Sequence, residues 1–384
     1  MRGRVIARDV GFALVRTELS DVRVSDPPAA WRIGEFVDLE SAAQLSPERV
    51  PVGPYPGPGS EVMRLSRARL EKLHARAQAL ACVRRFFAER EFLEVETPLL
   101  VPSPGLEIHL DAVEAGEGFL ITSPEYAMKR LLAAGCERIY QVCKCFRANE
   151  RGSHHASEFT MIEWYRAYSG IAEIASDTEQ LVHSVCGDFA RDGERRIDVK
   201  PPWQRLAVRA AMERWAGVRV IGDEPAEELA REVRRAGIDV AVGLAWDDVF
   251  FTAFIARVEP ALAALDHAIL LEDWPAPLAA LARRKPGDRQ TALRFEAYVG
   301  GIELANAFDE LTDPMEQEAR FREEQDVRRA RHRPVYPIDA KLVAALAEGI
   351  PPSGGIALGF DRLVMLATGA TTIDDVQAFA GHER

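Results

Sequence analysis

Short runs that alternate apolar and polar residues fill the beginning of the chain. The runs GRVIA, GFALVR and GEFVDL are separated by Asp, Pro and Gly, a spacing that predicts short strands joined by turns. Five prolines and three glycines then fall within residues 47–59, a composition typical of an extended linker. The pattern therefore predicts a small β-rich module over residues 1–60 and a second domain over residues 61–384.

Beyond the linker, apolar residues recur at steps of three and four, which predicts a long helix. Ser66 can cap this helix, which we expect to end near Glu91. Its apolar residues are Leu70, Leu73, Ala77, Leu80, Val83, Phe86 and Phe87. They offer more apolar surface than one core face needs, which favours a symmetric partner and hence a homodimer. The segment FLEVETPLL that follows reads as a strand broken by Pro98.

The remaining chain mixes both kinds of period. A helix over residues 125–134 is followed by the strands ERIYQVCKCF and EFTMIEWY on either side of a polar loop. Residues 171–290 read as helix-rich, RFEAYVGGIELANAF as a hairpin around Gly300 and Gly301, and residues 314–333 as a polar helix. A glycine-rich strand, SGGIALGF, then runs into a last helix. Helices and antiparallel hairpins that share one sheet predict an α+β fold.

Composition narrows the class of protein. The 384 residues carry 60 acidic and 48 basic side chains, and a net charge of −12 is unfavourable for a protein that binds nucleic acid through phosphates alone. No run of residues is long and apolar enough to suggest a membrane span. The five scattered cysteines do not form a disulfide framework, so we expect a cytoplasmic protein.

The hairpin brings two carboxylates to one face. A two-residue turn at Gly300 and Gly301 places Tyr298 opposite Glu303, so Glu296 and Glu303 become diagonal neighbours. Mg²⁺ that carries substrate phosphates is a common reason for such a pair, although two solvated strand residues would look the same. Glu310 can face the same site only if the strand bends or bulges after Asn306.

Other candidate groups lie on the strand EFTMIEWY and in the loop before it. Phe159, Met161, Glu163 and Tyr165 share one face of this strand, an arrangement that suits an ammonium ligand but also an ordinary half-buried strand. The loop offers Arg147, Arg151, His154 and His155 to phosphate oxygens. Cys143 and Cys145 have no second Cys pair or His pair at ligand spacing, so the sequence gives no support for zinc.

Together these segments resemble the three signature motifs of class II aminoacyl-tRNA synthetases. FLEVETPLL resembles motif 1, the run from Phe146 through EFTMIEWY resembles motif 2, and GIALGFDR resembles motif 3. TSPEYAMKRLLAAG and GIELANAFDELTD resemble the lysyl branch. The roughly 46 residues before the linker predict a truncated anticodon-binding barrel at best, and they have no basic surplus. The chain most resembles the elongation factor P lysine ligase family. We expect the fold of a class II synthetase, with an antiparallel sheet and flanking helices.

The resemblance assigns roles to individual residues. Ser123, Pro124, Glu125, Glu163, Tyr165 and Glu310 resemble the residues that hold the amino acid. Arg147, Ala148, Asn149, His155, Ala156, Phe159, Glu303, Leu304, Gly359 and Arg362 match positions that bind ATP, with Arg147 and Arg362 as the catalytic arginines. Glu296 and Glu303 match the carboxylates for Mg²⁺. Ala148, Asn149 and Ala156 depart from the family's usual residues, which implies weaker nucleotide contacts, and Ala307 in place of glycine implies a narrower pocket floor.

The resemblance implies an ATP-dependent ligase that joins lysine or a β-lysine to a lysine side chain of elongation factor P. It implies a homodimer paired through motif 1 and argues against tRNA as the acceptor. Three alternatives stay open. The enzyme could aminoacylate another acceptor, namely a tRNA, a carrier protein or a small molecule. The chain could be a catalytically weak regulatory paralogue, or an unrelated ATP-dependent ligase.

Overall fold

The computed structural model describes residues 1–45 and 66–381, and in it the chain divides into two compact units, Met1–His74 and Ala75–Arg384. The predicted domain boundary at residue 60 and the proline-rich stretch 47–59 lie outside the described residues. The first unit holds the strands β1 (Arg2–Asp9), β2 (Phe12–Arg16), β3 (Asp21–Ser25) and β4 (Phe36–Asp38). They form one sheet in the order β3-β2-β1-β4, with Val5, Val15 and Trp31 in its core.

The long predicted helix is α1 (Arg67–Ala88). Ser66 caps it by accepting a hydrogen bond from the Arg69 amide at 3.1 Å. The motif 1 segment after it contributes two very short strands, β5 (Leu93–Glu94) and β6 (Leu100–Val101), which belong to different sheets on either side of Pro98.

The remaining elements follow in chain order. They are β7 (Glu114–Ala115), β8 (Gly118–Leu120), α2 (Glu125–Ala133), β9 (Arg138–Phe146), β10 (Glu158–Ala167), α3 (Ile171–Cys186), β11 (Phe189–Asp192), β12 (Arg195–Asp198), β13 (Gln204–Ala207), α4 (Val208–Ala211), α5 (Ala226–Arg235), α6 (Trp246–Ala253), α7 (Glu259–Ala264), β14 (Ile269–Pro275), β15 (Arg284–Lys285), β16 (Asp288–Val299), β17 (Ile302–Asp309), α8 (Pro314–Ala330), α9 (Ala340–Glu348), β18 (Ser353–Gly359) and α10 (Phe360–Thr368). Short π-helical turns extend α4 and α6.

A nine-stranded sheet organises the second unit, and the predicted α+β fold is confirmed. Its strands run in the order β13-β14-β16-β17-β18-β10-β9-β5, and β15 pairs with β16. Neighbouring strands are antiparallel except for the pairs β13–β14 and β5–β9. The sheet places β10, β17 and β18 side by side, so residues far apart in sequence share one surface.

Two features differ from the sequence expectations. Residues 171–290 are helix-rich as expected, but they also contain five whole strands that were not predicted, among them β14 inside the main sheet. Its apolar run Ile269–Leu271 is buried on both sides, and such a run has no alternation by which to recognise a strand. In addition, Val83, Phe86 and Phe87 of α1 are buried in the core of their own chain, so they do not supply the spare apolar surface that was expected. No helix within the described residues is long and apolar enough to cross a membrane.

Candidate active site

A cavity of about 860 Å³ lies over β10, β17 and β18 in the second unit. We call the part lined by the buried Glu125, Glu163 and Glu310 its acidic end, and the part lined by Arg362, His154 and His155 its basic end. The volume is within the usual range for sites that bind drug-sized ligands. The two ends differ in chemistry.

Glu163 forms the centre of the acidic end. Its carboxylate accepts hydrogen bonds from Ser123 Oγ at 2.6 Å and from the Tyr165 hydroxyl at 3.1 Å. Ser123 Oγ also accepts a hydrogen bond from the Glu125 amide at 3.0 Å, which ties the start of α2 to β10. Burial, followed by repulsion from Glu125, raises the pKa of Glu163 well above its usual range. Ionisation of this carboxylate is therefore unfavourable in free energy unless a cation binds next to it.

Lys129 joins two further carboxylates. Its Nζ lies 2.7 Å from Glu125 Oε1 and 2.6 Å from Glu310 Oε2, and all three side chains are buried. Burial, partly offset by Lys129, raises the pKa of Glu310 to about 8. When they are ionised, the carboxylates of Glu125, Glu163 and Glu310 outnumber the single Lys129 ammonium by two charges.

Gly355 makes room for this arrangement. A β-carbon at Gly355 would collide with Glu310 Oε1 and with the ring of Tyr165. Gly355 pairs directly with Tyr165 across β10 and β18, so the absence of a side chain lets the tyrosine ring and the carboxylate share one volume.

Arg147 lines the cavity, and Arg362 lies at its basic end. The Arg147 guanidinium lies 5.1 Å from the centre of the Phe159 ring, and its Nη1 lies 3.8 Å from Glu150 Oε2. Arg362 donates to the backbone oxygens of His154 and Glu303, at 3.2 and 2.5 Å. Both guanidinium groups thus keep part of their hydrogen-bonding capacity for an anion.

His155 belongs to the same end. Its Nε2 lies 2.7 Å from Arg362 Nη2, and burial together with the positive charge of Arg362 lowers the pKa of His155. The imidazole is therefore neutral near pH 7 and accepts a hydrogen bond from the arginine. Next to Arg362, the buried Asp361 accepts a hydrogen bond from the Thr160 amide at 2.7 Å and pairs with Arg76, which fixes the start of α10 against β10.

The hairpin carboxylates Glu296 and Glu303 also line the cavity. Tyr298 pairs with Glu303 as predicted, and both turn glycines have positive φ angles. Glu296 accepts hydrogen bonds from the Tyr298 hydroxyl at 2.6 Å and from Arg294. Burial, followed by repulsion from Glu303, raises the pKa of Glu296 to about 7.

The irregularity that the sequence required for Glu310 lies earlier in the strand than expected. The register of β16 and β17 shifts by one residue at Leu304, which precedes Asn306. The extra residue reverses the face to which the following side chains point. Glu303, which precedes the bulge, faces the cavity, and so do Asn306 and Glu310, which follow it. Ala307 points to the opposite side and is fully buried in the core, so it does not narrow the pocket floor as expected.

Most of the predicted site residues line this one cavity. They are Ser123, Glu125, Arg147, His155, Ala156, Phe159, Glu163, Tyr165, Glu296, Glu303, Leu304, Glu310, Gly359 and Arg362. Pro124, Ala148 and Asn149 are chain neighbours of lining residues but do not line the cavity themselves. Pro124 precedes the first turn of α2, and Asn149 has a φ of 62°, a conformation that asparagine tolerates well.

Sequence reasoning missed two basic residues at the site. Lys129 lies one helical turn after Glu125, and this i, i+4 spacing could have suggested the pair. Arg294 donates to Asn306 Oδ1 at 3.1 Å, besides its contact with Glu296, and its guanidinium lies 4.4 Å from the centre of the Trp274 ring. Its position two residues before Glu296 on β16 was the available signal.

Comparison with known proteins agrees with this geometry. Residues 60–383 match the family described as tRNA synthetases class II (D, K and N). The chain belongs to this family. It is 39% identical over 328 residues to the elongation factor P–(R)-β-lysine ligase of Salmonella dublin, which covers 81% of this chain and 95% of that protein. The ligase of the same name from Klebsiella pneumoniae subsp. pneumoniae is 39% identical over 325 residues, with the same shares covered.

These findings confirm the resemblance expected from the sequence. The protein is an ATP-dependent amino acid ligase with a class II synthetase domain. The alternative of an unrelated ATP-dependent ligase is thereby removed.

Proposed function

We propose that the protein activates lysine or a β-lysine with ATP as an aminoacyl-adenylate and transfers the aminoacyl group to a lysine side chain of elongation factor P. The observation that carries this proposal is that one cavity is lined both by a cluster of buried carboxylates and by Arg147 and Arg362. A diamino acid is complementary in charge to the carboxylates, and a nucleoside triphosphate is complementary to the arginines.

The acidic end supports the choice of amino acid. A substrate with two ammonium groups brings two positive charges, and the ionised Glu125, Glu163 and Glu310 exceed Lys129 by the same number. Burying charges without such compensation costs several kcal/mol each, so neutral amino acids would bind poorly here.

The first step is attack of a substrate carboxylate oxygen on the α-phosphorus of ATP, which releases pyrophosphate. The substrate is itself the nucleophile, so the protein has to align the reactants and balance the charge that develops on the phosphate oxygens. We assign Arg147, which lies beside Phe159, to the α-phosphate and the Phe159 ring to adenine. We assign Arg362, with neutral His155 as its partner, to the outer phosphates.

Glu296 and Glu303 fit a magnesium ion held between protein and phosphates. Two interacting carboxylates, one with a pKa raised to about 7, are the donor set that Mg²⁺ accepts when phosphate and water complete its shell. Among residues 1–45 and 66–381 no group of three or more acidic, His or Cys side chains could hold a metal ion, so phosphates would have to contribute ligands. Bound Mg²⁺ would neutralise phosphate charge.

The acceptor is inferred from the relatives, which are named as ligases of elongation factor P. The excess of acidic over basic residues supports a protein acceptor over tRNA, because binding of tRNA needs many phosphate contacts. Location in the cytoplasm and assembly as a homodimer remain part of the same proposal.

Intact-mass analysis tests this function. Elongation factor P would be incubated with the enzyme, ATP and either α-lysine or a β-lysine isomer, and we expect a mass increase of one aminoacyl residue with the preferred isomer. Replacing the acceptor lysine of the factor by arginine is the control. Aminoacylation of tRNA under the same conditions, with no change in the factor, would refute the proposed acceptor.

The alternative of a silent regulatory paralogue is tested separately. An active enzyme catalyses lysine-dependent exchange of labelled pyrophosphate into ATP, whereas a paralogue that only binds its ligands does not. Arg147, Arg362 and Glu303 are all present at the cavity, which favours the active enzyme.

A further inference from the structure

Three sulfur atoms meet beside the cavity. Cys143 Sγ lies 3.9 Å from Cys145 Sγ on β9, and Cys145 Sγ lies 4.0 Å from Met161 Sδ on β10. Cys143 and Met161 are direct partners in the register of these two strands, so all three side chains stand on the same face of the sheet. Met161 also lines the cavity.

These sulfur–sulfur separations can be compared with those in a trigonal metal site. A metal at the centre of a triangle of sulfurs, with metal–sulfur bonds of about 2.3 Å, keeps the sulfurs about 4.0 Å apart. The separations of 3.9 Å and 4.0 Å match two edges of such a triangle.

We propose that Cys143, Cys145 and Met161 form a trigonal binding site for a soft monovalent metal ion of the Cu(I) class. Two thiolates and a thioether are ligands that select Cu(I) over hard cations such as Mg²⁺. The two thiols each release a proton to solvent when the metal binds, and no change of oxidation state is needed. The half-buried Cys143 and the cavity wall at Met161 offer routes of entry.

Occupation of this site would inhibit the ligase. Met161 lies between Phe159 and Glu163 on β10, the residues assigned to adenine and to the substrate amine. A metal that fixes Met161 to β9 constrains the floor on which both substrates must bind. The binding of metal does not depend on the proposed function, whereas the readout of inhibition by pyrophosphate exchange does.

The site can be isolated within the full chain. The triple variant Cys82→Ser, Cys136→Ser, Cys186→Ser keeps Cys143 and Cys145 as the last two of the five cysteines. Anaerobic titration of this variant with Cu(I) against a coloured Cu(I) chelator should show one tightly bound ion per chain. Adding Cys143→Ser should abolish this binding, and adding Met161→Leu, which preserves apolar volume, should weaken it at least tenfold.

Activity gives a second measurement. One equivalent of Cu(I) should lower lysine-dependent pyrophosphate exchange of the triple variant at least tenfold, and excess chelator should restore it. Adding Cys143→Ser should leave exchange unchanged in the absence of metal and insensitive to Cu(I). Binding of one ion that survives both Cys143→Ser and Met161→Leu would overturn the proposed site. Tight binding without loss of exchange would overturn the inhibitory role alone.

Discussion

At the scale of single residues, Glu310 is the carboxylate whose removal should affect amino-acid binding most specifically. Glu310→Gln removes one of the negative charges that compensate a buried substrate ammonium. It also leaves Glu125 as the remaining carboxylate of the two that contact Lys129. Leaving a buried charge unpaired costs about 3 kcal/mol or more. We therefore expect lysine activation to fall at least about a hundredfold while ATP binding is retained. Exchange kinetics at varied lysine concentration measure this, with Glu318→Gln on the exposed face of α8 as the control. Unchanged kinetics would disprove the role.

Arg362 should act on the phosphate side instead. Its guanidinium contacts backbone oxygens and His155 but none of the carboxylates at the acidic end. We expect Arg362→Ala to lower adenylate formation by about a hundredfold or more and to leave lysine affinity nearly unchanged. Single-turnover kinetics and lysine titration separate the two effects, and Arg329→Ala on the surface is the control. A loss of lysine affinity without loss of the ATP-dependent step would contradict the assignment.

Gly355 gives a steric test of the same pocket. The added methyl group of Gly355→Ala overlaps Glu310 Oε1 and the Tyr165 ring, so both must move. We expect KM for lysine to rise at least about tenfold with a smaller change for ATP, because the displaced groups hold the amino acid. Gly152→Ala, whose added carbon would come no nearer than 3.7 Å to His155 Nδ1, is the matched control. Equal changes in both KM values would contradict a clash confined to the amino-acid pocket.

The residues that sequence reasoning found and those it missed differ in a physical way. Glu163 and Glu310 belong to motifs that resemble those of a known family, so a role could be proposed for them from the sequence. Lys129 and Arg294 contact partners brought close by folding, and Lys129 reaches Glu310 across a separation of 181 positions in sequence. Neither periodicity nor composition carries that information, because it depends on how folding brings α2 close to Glu310.

At the scale of elements, the hairpin β16–β17 shows how far local rules extend. Two glycines with positive φ fixed the turn and the pairing of Tyr298 with Glu303, as predicted. The bulge at Leu304 could not be located, because alternation of apolar and polar residues does not distinguish an extra residue from a change of face. The strand β14 could not be recognised either, because its run of buried apolar residues shows no alternation with polar residues.

This hairpin should also control how stability responds to pH. The pKa of Glu296 is raised from 4.5 to about 7 by burial and by Glu303, so folding favours the protonated form. The stabilisation from this group is complete below about pH 4.5 and is lost as the pH rises through 7. Between pH 5 and 8, without Mg²⁺, we expect wild type to lose about 2 to 3 kcal/mol more unfolding free energy than Glu296→Gln. Urea unfolding across this range measures the difference. Parallel plots of unfolding free energy against pH for the two proteins would contradict it. Adding Mg²⁺ should reduce the difference if the ion binds the ionised pair.

At the scale of the whole molecule, the surface that we expect to pair two chains includes the motif 1 segment after α1. Three leucines of the motif 1 segment are exposed, namely Leu93 at 56%, Leu99 at 39% and Leu100 at 55%. Val83, Phe86 and Phe87 of α1 are by contrast buried in the core of their own chain. Leu93 lies on β5, the strand at one edge of the nine-stranded sheet. An edge strand with apolar neighbours is a surface that proteins usually cover.

We expect a homodimer in which each chain covers these leucines of the other, because a two-fold axis lets one apolar patch serve both partners. Placing a charge there, as in Leu99→Glu or Leu93→Glu, should produce monomers with reduced activity, because motif 1 adjoins β9 and thereby the floor of the cavity. Val242→Glu, at a position 84% exposed elsewhere on the second unit, should leave both assembly and activity unchanged. Light scattering combined with size-exclusion chromatography measures the mass of each variant. A wild-type mass near 42.6 kDa at micromolar concentration, together with full activity, would rule out the dimer.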